Sequence, residues 1–106
     1  MTLKNPAQQK RAKLPRNSAR TRQFAKDWER LTHSGRDDMR RLKDAMLLLI
    51  ANDEPLLPEY LDHELSGQWR GFRECHIGGD FLLIYDLRQE GSVIFTRTGT
   101  HADLFG

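Results

Sequence analysis

The hydrophobic period of the chain changes once, near residue 68, and that change determines the class of fold it can adopt. Before it, apolar residues recur at helical spacing. Phe24, Trp28 and Leu31 stand at i, i+4 and i+7, and Met39, Leu42, Met46, Leu49 and Ile50 form a second stripe. After it, apolar residues gather in strand-length blocks, "WRGFRECHI", "DFLLIYDL" and "SVIFTRT", with "GGD" and "RQEG" as turns between them. Two helices followed by three strands predict an α+β domain, with two N-terminal helices packed on one face of a small antiparallel sheet. The unbroken apolar run over residues 81–85 predicts a central strand covered on both faces.

Local signals set the expected ends. Ser18 or Thr21 is the expected N-cap of a first helix of about fifteen residues, with Gly35 as its stop and Ser34 as the next cap. Asp37 and Asp38 favour the positive N-terminal end of the second helix. That helix should end near "NDEP", because the residue before Pro55 is pushed out of the helical region. "LLPEYLDHELSGQ" reads as a long loop. "AKLPRNS" predicts a short edge strand, where Pro15 is tolerated.

At 106 residues the chain has the size of one domain. No apolar run approaches the ~20 residues of a membrane span. The opening "MTLKNPAQQKRAKLPR" has no apolar core of a secretory signal, and Cys75 has no partner for a disulfide. A reducing, cytoplasmic location is the expectation. Charge is unevenly placed. Residues 1–26 carry eight basic side chains and no acid, whereas the other 80 residues carry nine basic and fifteen acidic ones. Residues 1–17 are read as a basic, partly mobile extension that contributes an edge strand, and residues 18–106 as the domain. A basic front on an acidic body suits a polyanion or an acidic partner; the duller reading is a solubilising tail.

Three of the four histidines, His63, His76 and His101, fall in the strand-rich half, and Asp80 starts the strand after His76. Histidines and a carboxylate suit proton transfer near neutral pH, because imidazole titrates near pH ~6.5. Arg73 and Arg97 are on strands and could hold a phosphate bidentately. Phe81, Phe105 and Trp69 could stack on bases. Such a set has what a ribonuclease working without a metal needs: a base for a ribose 2′-hydroxyl, a cation for the phosphorane and an acid for the leaving 5′-oxygen. Each item also has a structural reading, Phe81 and Phe105 as core residues above all. A zinc site would have to use His63, His76, His101 and Asp80, none at a local ligand spacing. A Cys75–His76 nucleophile pair fails, since adjacent strand residues point to opposite faces. No metal and no small-molecule cofactor are expected.

The strings "YLDHELSGQWRGFRECHIGGDFLLIY" and "TRTGTHADLFG" closely resemble the YafQ-type branch of the RelE/ParE toxin superfamily. That family shows D-H-x-L-x-G, then G-[FY]-R-[DE]-x-H-x-x-x-D-[WF], then R-T-G-[ST]-H-x-x-L-F. The likeness spans about residues 18–106. It implies a RelE-like microbial ribonuclease fold and a bacterial type II toxin, an mRNA interferase that cuts messenger RNA without a metal, usually in the ribosomal A site. It also implies a cognate antitoxin. Residue by residue it implies that His63, His76, Asp80 and His101 are catalytic, with His101 the general acid and the base left open among Asp80, His76 and His63. Arg97, Phe81 and Phe105 would meet RNA, and Leu104 and Phe105 would pin the chain end so that His101 sits over the scissile phosphate. Three departures stand out: Phe81 replaces a frequent tryptophan, Gly78-Gly79 replaces a frequent Glu-Pro, and the basic extension is long. Two other readings remain, a ParE-like toxin that binds DNA gyrase without cutting RNA, and a non-catalytic RNA-binding module. Convergence of His63, His76, Asp80, Arg97 and His101 in one concave site would separate them from the enzyme.

Overall fold

The computed structural model describes residues 13–106. In chain order these form β1 (Asn17–Arg20), α1 (Arg22–Ser34), α2 (Met39–Ala51), β2 (His63–Glu64), β3 (Arg73–Gly78), β4 (Phe81–Asp86), β5 (Ser92–Thr100) and α3 (His101–Phe105). Single 3₁₀ turns at Pro58–Tyr60 and Gly67–Trp69 flank β2, inside the segment expected to be a plain loop. The five strands lie in the order β1-β5-β4-β3-β2. The expected mobility of the basic extension concerns residues that mostly lie outside the described ones.

The helix ends follow local chemistry. Thr21 accepts the Phe24 N–H at 3.0 Å and caps α1, and Gly35 closes it in the left-handed conformation. The α2 cap is Asp38, which accepts the Arg41 N–H at 3.0 Å, so the expectation of Ser34 is corrected. Ser34 remains in the last turn of α1, where its hydroxyl donates to the Leu31 carbonyl.

Both long helices cover one face of the sheet, as the pattern required. Phe24 and Leu31 from α1 and Leu42, Ala45 and Leu49 from α2 pack on Cys75, Ile77, Leu83, Tyr85, Val93 and Phe95. The opposite face carries a smaller cluster, where Leu82 and Ile84 meet Leu104, Leu65, Trp69 and Phe72. Strand β4 is therefore buried on both sides.

One strand departs from the expected all-antiparallel pattern. β1 runs parallel to β5, pairing Asn17 with Ser92 and Arg20 with Phe95. Parallel neighbours need a long connection, and the two helices supply it. β1 ends opposite Phe95, which leaves the rest of that edge of β5 unpaired, and α1 takes over there. The Thr21 hydroxyl donates to the Thr96 carbonyl at 2.8 Å, and the buried Asp27 carboxylate accepts the Thr98 N–H at 3.1 Å.

Candidate active site

Sheet register assembles the site on the face away from the long helices. β3 alternates, so Cys75 and Ile77 enter the core while Glu74 and His76 face the other way. β2 pairs His63 directly with Glu74. His63 Nε2 and His76 Nε2 lie 3.3 and 3.5 Å from the same Glu74 carboxylate, which is buried. The β4–β5 pairing sets Phe81 opposite Thr100. In an antiparallel pair the residue before one partner meets the residue after the other, so Asp80 and His101 are brought together across 21 residues of sequence. Asp80 Oδ1 accepts from His101 Nδ1 and also lies 3.3 Å from the His101 backbone N–H.

The result is a row of rings. The centroids of His63 and His76 are 6.2 Å apart, those of His76 and His101 6.1 Å, and those of His101 and Phe105 5.9 Å. The bonding differs along the row. His63 Nδ1 contacts the Leu61 carbonyl at 2.7 Å while its Nε2 faces Glu74, so oxygen acceptors sit at both ring nitrogens. Leu61 has a left-handed backbone (φ 49°), a conformation that costs a non-glycine residue about 1–2 kcal/mol and here accompanies the bond to the His63 ring. His76 Nδ1 and His101 Nε2 have no hydrogen-bond partner among the described residues. The bonds from His101 hold the Asp80 carboxyl below its usual range.

Helix α3 delivers His101. Thr100 caps it, with Asp103 returning a bond to the Thr100 N–H at 3.0 Å, and Leu104 is buried against Leu82 and Ile84. Gly99 has φ +152°, and a Cβ there would stand 2.8 Å from Asp103 Oδ2, so only glycine lets the strand turn into this helix.

Of the four expected RNA contacts, Arg73, Phe81 and Arg97 lie elsewhere or are already engaged, and Phe105 remains at the site. Arg73 is on the helix face of β3, bonded to Asp62 at 3.3 and 3.4 Å beside a separate cavity of about 490 Å³. Phe81 is 3% exposed in the helix-side core and offers no stacking face. Arg97 faces the site side, opposite Ile84, but its guanidinium is held bidentately by Asp27 at 2.8 and 3.2 Å. Phe105 is 43% exposed, so Leu104 is the anchor of the chain end, while Phe105 meets Trp69 edge-on at 6.1 Å. Cys75 is buried, and burial raises its thiol far above the usual range. Glu74 and Asp27 were missed from sequence. The i, i+2 spacing of Glu74 and His76 on one strand was the available signal for the first; nothing local marks the second. Among the described residues no group of three His, Cys, Asp or Glu side chains is arranged to hold a metal ion.

A model of the YafQ family, bacterial toxins of type II toxin–antitoxin systems, matches residues 16–106. The mRNA interferase toxin YafQ of Escherichia coli strain K12 is 46% identical over 84 residues, spanning 79% of this chain and 89% of that protein. The crystal structure of YafQ from E. coli strain BL21(DE3) superposes with a TM-score of 0.80 at 42% identity, covering 86% of this chain and 99% of the other. A chain of the E. coli DinJ–YafQ toxin–antitoxin complex gives 0.79 at 42% identity, covering 88% and 100%.

Proposed function

The chain belongs to the YafQ family of type II toxins and is an endoribonuclease, an mRNA interferase; on that premise we propose that it cleaves messenger RNA by internal attack of a ribose 2′-hydroxyl, with His76 as base and His101 as acid. The observation that carries this reading is the opposed pair of histidines. Their rings are 6.1 Å apart, Glu74 stands behind one and Asp80 behind the other. Glu74 at Nε2 of His76 favours the tautomer that leaves Nδ1 with its lone pair. Asp80 at Nδ1 of His101 leaves Nε2 to carry the transferable proton.

His76 Nδ1 takes the 2′-hydroxyl proton as O2′ bonds to phosphorus. The P–O5′ bond breaks as His101 Nε2–H protonates the leaving oxygen. The products are a 2′,3′-cyclic phosphate and a 5′-hydroxyl. His63, with acceptors at both nitrogens, is suited to act as a cation toward the phosphorane rather than as the base. Asp80 is committed to His101 and positions it. The exposed Phe105 edge supplies a stacking surface in place of the buried Phe81.

Messenger RNA on the ribosome in the cytoplasm is the proposed substrate, and a cognate antitoxin the proposed partner, by analogy with the DinJ–YafQ complex. The deciding experiment maps cuts in one messenger RNA with and without ribosomes. Cuts with cyclic-phosphate ends that need ribosomes are expected. No cut under either condition, with DNA gyrase inhibited instead, would establish the ParE-like reading.

Two further results are expected. Activity should persist in excess EDTA, since acid–base chemistry by histidine needs no cation. Loss in EDTA with recovery on adding a transition metal would make the histidine row a metal site. Deleting residues 1–12 removes Lys4, Lys10 and Arg11 but spares Arg16, whose N–H bonds the Ile50 carbonyl. If those three cations meet phosphates, the salt slope of RNA binding should flatten by about 2 while the melting temperature holds. An unchanged slope identifies a solubilising tail.

A further inference from the structure

Between the C-terminal half of α1 and the start of α3 lies an open cavity of about 560 Å³. Arg30, Ser34, Arg36 and Thr100, with the carboxylates of Asp37 and Asp103, give it a polar lining over Leu31. Thr100 is the residue before His101, so the cavity adjoins the proposed acid. We propose that this cavity is a phosphate subsite of the cleavage reaction, in which Arg30 binds the backbone phosphate next to the scissile one. The inference rests on the nuclease reading above.

Three observations support it. The first is position. Arg30 Nη1 bonds Asp103 Oδ2 at 3.2 Å, and Asp103 in turn accepts the Thr100 N–H. Arg30 Nη2 lies 3.4 Å from where a Gly99 Cβ would stand, two residues before His101. The second is availability. The Arg97 guanidinium, the cation expected from sequence to grip phosphate, is locked to the buried Asp27. Arg30 is 47% exposed, and each of its carboxylate partners is shared, Asp27 with Arg97 and Thr98, Asp103 with Thr100. A guanidinium has five donors, and two bonds to shared carboxylates leave donors for an arriving phosphate. The third is the company it keeps. Arg36 lines the same cavity, and its guanidinium is a second donor for the remaining phosphate oxygens.

The competing explanation is that Arg30 only ties α3 to α1 through Asp103. The two differ in sign at Asp103. If the pair is a tether, Asp103→Asn and Arg30→Gln harm the enzyme alike. If Arg30 binds phosphate, Asp103→Asn frees the guanidinium and removes a repelling charge, so RNA binding holds or tightens.

The test measures binding of a single-stranded oligonucleotide to His101→Gln protein, which is expected to turn it over slowly, with and without Arg30→Gln. Arg30→Gln should weaken binding about tenfold and flatten the salt slope by about 0.7. A neutral methylphosphonate beside the scissile position should weaken binding to the protein that retains Arg30 and leave binding to the Arg30→Gln variant unaffected. Arg30→Lys should recover part of the loss. Unchanged binding and slope for Arg30→Gln, or equal losses in Arg30→Gln and Asp103→Asn, would overturn the subsite while leaving nuclease activity standing. If the parent chain neither binds nor cuts RNA, both readings fall together.

Discussion

His101→Gln should cut RNA at least ~10²-fold more slowly than the parent chain, with folding and RNA affinity nearly unchanged. A 5′-alkoxide leaves poorly unless it is protonated as the P–O bond breaks. A positioned acid typically contributes ~10²–10⁴-fold to such a step. Glutamine keeps similar bulk and can still bond Asp80, but it has no proton to deliver. The His101–Asp80 pair is exposed on both sides, so breaking it should cost little stability. A melt of the variant should therefore overlay that of the parent, and single-turnover cleavage should carry the whole effect. Parent-like cleavage by His101→Gln would reduce the terminal histidine to a binding residue.

Asp27→Asn should do the reverse, destabilising the fold rather than sparing it. The carboxylate is 2% exposed and accepts from Arg97, Thr98, Arg30 and Gln23. Asparagine keeps one acceptor oxygen and turns an N–H₂ toward a guanidinium. Removing one partner of a buried ion pair costs about 3–5 kcal/mol, and the partial exposure of Arg97 favours the lower end. In a chain of this size that lowers the melting temperature by at least about 10 °C. Burial alone would raise the Asp27 carboxyl; the bonds from Arg97, Thr98 and Gln23 more than offset it and hold the group below its ordinary 3.8. The sign of the linkage follows. A depressed carboxyl stabilises the fold in full at neutral pH, and that contribution fades as pH falls below about 4. The gap between parent and variant melts should narrow as pH falls through the range where the depressed carboxyl takes up its proton; a gap that does not narrow in acid would show that packing, not charge, holds Asp27.

Each misplaced residue has its own cause. Phe81, expected as a stacking surface, is buried because β4 is covered on both faces. An all-apolar strand does not reveal which parity faces the site, and Phe81 falls on the helix side with Leu83 and Tyr85. Arg73 stands on the helix side for the same reason of parity, one residue before Glu74. Arg97 stands at a bulge. The pairing moves from Ile84–Arg97 to Tyr85–Phe95 and leaves Thr96 as the extra residue. Nothing in "SVIFTRT" shows that shift, nor the carboxylate seventy residues earlier that takes the guanidinium. Glu74 looks like an ordinary surface acid within "RECHI", yet it is buried between two histidines.

What the chain determines locally was legible. The period of its apolar residues specified two helices before a sheet. Thr21, Gly35, Pro55 and the glycine-bearing turns marked element ends within a few residues. The ordered strings around His63, His76, Asp80 and His101 pointed to the family and the chemistry. These are short-range properties, set by backbone sterics, side-chain hydrogen bonding and the alternation of faces. The pairing of Asp80 with His101, the shared Glu74, the sequestered Arg97 and the exposed Arg30 are contacts between residues far apart in sequence. They depend on strand register, on a one-residue bulge and on a parallel edge strand that lets α1 lean over β5. A single-residue slip in any of these would turn the same side chains to the other face, so only the assembled sheet decides which groups meet.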